Sequence, residues 1–154
     1  MKTSVSFKPI FISGLLAAIV FLMAEMIMLA MSGQSPFGPP RMMAAMVLGK
    51  DVLPPPATFD IVIMMVAMIV HVMLSFGFAV VFGLIYGRLT RSLGMAMLAG
   101  GVFGLAMYFL NFYVMTSVFP WFEMGRGAIN IIGHILFGLV LGGAFHKLSG
   151  AETA

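Results

Sequence analysis

Residues 61–86 read IVIMMVAMIVHVMLSFGFAVVFGLIY, with no Asp, Glu, Lys or Arg among them. A helix rises about 1.5 Å per residue, so about 20 apolar residues cross the ~30 Å hydrocarbon layer of a bilayer. No water is available there to satisfy backbone N–H and C=O groups, which makes a helix the conformation for such a run. Three more stretches read the same way, at 9–31, 94–119 and 127–145, and the longest connection lies at 32–60. The chain of 154 residues is 62% hydrophobic and 8% charged, with a mean hydropathy of +1.13. Soluble domains carry about 25% charged residues, so we expect one integral-membrane domain, all-α, built as a four-transmembrane-helix bundle.

The charges that remain set an orientation. Lys2 and Lys8 precede the first span, and Arg88 and Arg91 lie between the second and third. The other connections carry both signs: Arg41 and Lys50 with Asp51 and Asp60, then Arg126 with Glu123. Basic residues gather on the cytoplasmic side, so both termini are expected there, with loop 32–60 outside. The first apolar stretch exceeds the roughly 7–15 residues of a signal peptide and reads as a retained helix. The net charge of +3 comes from a few span-end residues, which suits a bilayer partner and no nucleic acid. Without cysteine there is no disulfide, thiolate metal site or cysteine nucleophile.

Within loop 32–60, Pro39-Pro40 is a helix start, 41–48 a mostly apolar continuation and Gly49 a stop. A short interfacial helix is expected, either a covered connector or a docking element for a partner subunit through Arg41, Met42, Met43 and Met46. Pro54-Pro55-Pro56 predicts a stiff, extended lead-in to the second span. The spans also repeat. Gly14, Ala18 and Glu25 in the first match Gly100, Gly104 and Asn111 in the third. His71 heads Ser75, Ala79, Gly83 and Gly87 in the second, and His134 heads Gly138 and Gly142 in the fourth. Steps of four stay on one helical face, and small residues there let helices approach closely. Two tandem helical hairpins follow.

Glu25, His71 and His134 are the ionisable groups inside the spans, and such groups in hydrocarbon face a partner, a cavity or a cofactor. Helical rise puts Glu25, Asn111 and His134 about 9–11 Å below the outer surface and His71 about 15 Å down. Asn130 lies one turn from His134. A shared polar layer of Glu25, Asn111, Asn130 and the two histidines is expected. Its plainest role is structural, with Glu25 and Asn111 bonded to the imidazoles. A haem b held between His71 and His134, or a proton or cation relay through Glu25, are the sharper alternatives. The 17 methionines raise Cu(I), but the i+4 pairs Met42/Met46 and Met64/Met68 are no more than chance gives, so no metal site is assigned. No phosphate loop, zinc-protease helix or paired catalytic carboxylates are present, so no enzyme activity and no catalytic residue is expected.

The stretch GPPRMMAAMVLG at 38–49, continuing as PPPATFD at 54–60, resembles a bacterial family of small four-helix inner-membrane proteins of undefined function. The segments that begin at His71 and at His134 are similar too, and members are sometimes labelled sodium/proline symporters. The resemblance implies the fold and a multi-pass place in the bacterial inner membrane, and carries no catalytic residues across. The combined expectation is a non-enzymatic accessory or structural subunit of a larger, respiratory membrane complex. Its partners would be other membrane proteins or a second copy of the chain. A bis-histidine haem b electron carrier comes next, and proton or cation transport after it.

Overall fold

The structure, a computed structural model, describes residues 7–86 and 92–151. Lys2, Gly87, Arg88 and Arg91, used above, lie outside them. The described residues form five α-helices in order: α1 Phe7–Met31, α2 Gly38–Leu48, α3 Ile61–Tyr86, α4 Leu93–Phe109 and α5 Ala128–Ala151. Among the described residues there is no strand. α1, α3, α5 and the helical run Leu93–Ser117 are long and apolar enough to cross a membrane. The chain is a multi-pass membrane protein built as a helical bundle.

Local signals place the ends. Asp60 Oδ1 accepts from the N–H groups of Val62 and Ile63 at 2.9 and 3.0 Å and caps α3. Ser92 Oγ accepts from the Met95 N–H and caps α4. Pro39 and Pro40 sit in the first turn of α2, and Gly49 ends it at φ 89°, a left-handed value that favours glycine. Proline 54–56 does not extend as expected. The segment bends, with both Pro-Pro peptide bonds cis. The third span also departs from expectation, because α4 ends at Phe109. Leu110–Val114 forms a π turn, Met115–Ser117 a 3-10 turn, and Pro120–Gly125 a 3-10 helix.

Both faces of each span are apolar, so side-chain size and not polarity decides which face turns inward. On α1, Ile10, Gly14, Ala17, Ala18, Phe21, Glu25 and Leu29 are buried. Phe11, Leu15, Ile19, Met23 and Ile27 form the exposed, lipid-facing stripe. The glycine ridges carry the tightest contact. A Cβ on Gly100 would overlap the carbonyl oxygen of Gly138, one on Gly104 that of His134, and one on Gly142 that of Ala96. α4 and α5 thus pack backbone to backbone. In the first hairpin, Gly14 receives the Ala79 methyl.

The two hairpins, α1 with α3 and α4 with α5, are not joined symmetrically. α5 packs along α1 as well as α4, whereas α3 and α4 scarcely touch. The repeat explains why. Pairing Gly14 with Gly100 and His71 with His134 also pairs Phe21 with Met107, and Gly133 with Val70. The Phe21 ring fits over Gly133, where a Cβ would stand 3.0 Å from it. Met107 would have to meet Val70, which leaves no such space. One seam closes and the other stays open. Further in, Ile10, Phe82, Phe103, Leu141 and Phe145 fill the core, and α2 lies on α3 through Ala44, Ile63 and Ala67.

Candidate functional site

The open seam holds a cavity of about 230 Å³ in the outer part of the bundle. α1 contributes Phe21 and Glu25, α3 contributes His71, Leu74, Ser75 and Phe78, and α5 contributes Asn130, His134 and Phe137. Met107, Leu110 and Asn111 border it from the third span, and Met42, Met43 and Met46 of α2 cover it. Leu74 is 37% exposed, and Phe78 and Leu110 are half-buried, so the α3–α4 side is a mouth facing the hydrocarbon. A second, outer cavity of about 500 Å³ shares Pro39, Met42 and Asn130 with the first. Those three side chains form the partition between them.

Of the expected polar layer, one link forms as anticipated. Asn111 Nδ2 lies 3.1 Å from His134 Nε2, and His134 Nδ1 lies 2.8 Å from the Asn130 carbonyl oxygen. A carbonyl only accepts, so Nδ1 carries the proton and Nε2 accepts from the amide. Asn130 joins through its backbone and not its side chain, which is buried between the two cavities. The π turn brings this about. It carries Asn111 into the site and is fixed by Arg126, whose Nε donates to the Phe112 carbonyl at 2.8 Å. Arg126 also pairs with Glu123 at 3.1 Å and lies 4.3 Å from the Tyr113 ring centre. Replacing Asn111 with alanine removes one intramembrane bond, and we expect a loss of about 0.6–1.7 kcal/mol, read as a lowered melting temperature in detergent.

The other expected links are absent. His71 Nε2 donates to the Ala18 carbonyl at 3.0 Å, across the α1–α3 contact. Glu25, only 2% exposed, bonds neither imidazole and has no hydrogen-bond or ion-pair partner among the described residues. Ala18 lies on the same buried face of α1 as Glu25 but about two turns, ~10 Å, further in, so the His71 ring sits out of reach of the carboxyl. The Phe21 ring intervenes between the histidines, stacked on His71 at 5.6 Å and edge-on to His134 at 5.0 Å.

That geometry bears on haem. Axial pairing needs a ring nitrogen of each histidine aimed at one iron, with the macrocycle between them. Here His71 Nε2 faces a carbonyl, Phe21 occupies the intervening space, and the cavity is far smaller than a macrocycle. A 150 Å³ cavity takes benzene. The residues present do not fit the group. Among the described residues no set of three His, Asp or Glu side chains is arranged to hold a metal ion.

The docking expectation also changes. Arg41 and Met42 are buried, and Met43 and Met46 are half-buried against the cavity and α3. Arg41 Nε and Nη1 donate to the carbonyls of Thr58 and Val52 at 2.9 and 3.1 Å, and Nη2 to Thr58 Oγ1 at 3.3 Å. This face fastens its own loop and covers the cavity. The Trp121 indole N–H donates to the Met42 carbonyl at 2.9 Å and ties the third span's outer loop to α2. The methionine clustering was missed in sequence. Met42, Met43, Met46, Met107 and Met115 come from two separate segments, and only the closed loop brings them to one cavity.

The fold and site define an integral membrane protein with a buried carboxyl group at an apolar, laterally open cavity. No protein-family model, curated protein or solved structure matches the chain.

Proposed function

We propose that the protein is a non-enzymatic membrane binding protein that takes a small, lipid-soluble ring compound from the bilayer. The observation that carries this is Glu25, buried and without a partner at the edge of the cavity. A carboxyl group that borders the cavity without a protein partner is free to bond a ligand, and a hydrogen bond to a charged group contributes about 1.5–3 kcal/mol. The size of the cavity fits one substituted six-membered ring, given that a cavity of about 150 Å³ takes benzene. Flexible, polarizable methionines in the cover suit a range of ring shapes. The expectation of an accessory subunit drew in part on α2 as a docking helix. With Arg41, Met42, Met43 and Met46 turned inward, the geometry supports a small-molecule ligand better than a protein partner. Placement in the bacterial inner membrane with both termini cytoplasmic is part of the same proposal, supported by Lys2, Lys8, Arg88 and Arg91.

A neutral ring compound tests the pocket. Isobutylbenzene should raise the melting temperature of the protein in lipid nanodiscs, since a ligand that binds only the folded state stabilises it. Leu74→Trp, which fills the mouth, should abolish the rise. Equal shifts in both proteins would mean that the hydrocarbon acts through the bilayer, and the pocket reading would fall.

A further inference from the structure

The side chains around the cavity also specify the charge of its occupant, an inference that rests on the pocket reading above. The titratable or charged groups facing Glu25 are few. α3 presents His71 and α5 presents His134; the third span presents the neutral Asn111, and the α2 cover presents methionines. The cation of α2, Arg41, is spent on Thr58 and Val52 and does not line the cavity. An anion would therefore find no counter-charge there. A neutral hydrocarbon would leave the Glu25 carboxyl unpaired. An ammonium group supplies both a charge and an N–H donor, and aromatic faces attract its alkyl groups. Such rings are in place: Phe21, Phe78, Phe112 and Phe137 all border the space.

We infer that the pocket binds a lipophilic amine in its ammonium form, with Glu25 as counter-ion, the phenylalanine rings as its seat, and the α3–α4 mouth as its route from the bilayer. The volume accommodates one ring with short substituents, and a longer alkyl tail would extend through the mouth between Leu74 and Leu110. The ammonium and a proton compete for the same carboxyl group. Protonated histidines would repel the cation as well, so acid weakens binding through either route.

Two probes of one shape test this. Benzyldimethylamine, protonated at neutral pH, and isobutylbenzene differ by a charged N–H in place of a C–H. Both are titrated into full-length protein in nanodiscs, with empty nanodiscs subtracted. The single tryptophan, Trp121, is the reporter because its indole is bonded to Met42 of the cover. The amine should bind at least about tenfold tighter than the hydrocarbon, and Glu25→Gln should erase that difference while leaving hydrocarbon affinity within roughly twofold. In the unaltered protein, amine affinity should fall as pH is lowered; any fall that persists in Glu25→Gln measures the histidines' share. An amine preference that survives Glu25→Gln overturns the counter-ion assignment. Equal binding of the two probes to the unaltered protein overturns the inference and leaves the pocket reading standing. If neither probe binds, the pocket reading itself fails. Should Glu25→Gln not fold, the probe comparison and the pH series on the unaltered protein decide alone.

Discussion

Replacing Gly138 with alanine should lower the stability of the solubilised protein by about 1–3 kcal/mol, although only one methyl group is added. The added carbon would overlap the Gly100 carbonyl oxygen and stand 2.9 Å from the Gly104 nitrogen. Both are backbone atoms, which have no rotamer to move into, so α4 and α5 must separate. Separation weakens contact along the whole ridge, since Gly100, Gly104 and Gly142 meet backbone in the same way. The control is Gly77→Ala on α3, where a Cβ would meet nothing within 4 Å. There the substitution removes only glycine's conformational penalty, so the melting temperature should hold or rise. Thermal melts of the two variants in one detergent check the contrast. Equal losses would show that the ridge is not the contact it is taken to be.

Arg41→Met should be the second large effect, and its signature is local. Methionine retains much of the apolar stem but removes every donor, leaving the Val52 and Thr58 carbonyls without the partners they have now. Hydrogen bonds to a charged group contribute about 1.5–3 kcal/mol. Residues 49–60 should then exchange amide hydrogens faster, while α4 and α5, held by glycine contacts remote from the loop, keep their protection. Because Met42, Met43 and Met46 cover the cavity from the same helix, ring binding should weaken in parallel. Uniform loss of protection across all helices would instead make Arg41 a global determinant of folding.

The legible parts of this molecule share one property: their signals are local or repeat at fixed steps. Pro39, Pro40 and Gly49 mark α2 through backbone constraints that need no tertiary partner. Ser75, Ala79, Gly100, Gly104, Gly138 and Gly142 mark the inward faces because size alone sorts them in a chain apolar all round. Spacing along a single span was legible too, since rise per residue is fixed. The relative height of neighbouring helices was not. His71 bonds Ala18, about two turns inward of Glu25, and Phe21 stands between the imidazoles, so Glu25 bonds neither. The π turn at Leu110–Val114 was hidden because it depends on Arg126, distant in sequence, taking the Phe112 carbonyl. The repeat implied equal seams between the hairpins. The open seam, and with it the cavity, came from two departures within that repeat: Met107 in place of Phe21, and Val70 in place of Gly133.

The central claim is that Glu25 is reachable from the lipid and not from water. Dicyclohexylcarbodiimide, a lipid-soluble reagent for carboxyl groups, tests it beside a water-soluble carbodiimide, with modified residues located by mass spectrometry of the membrane-embedded protein. The lipid-soluble reagent should modify Glu25, and bound benzyldimethylamine should protect it. The water-soluble one should reach the exposed carboxyls of Asp51, Asp60 and Glu123 and leave Glu25 unreacted. Modification of Glu25 from water, or none by either reagent, would contradict a cavity that opens to the bilayer.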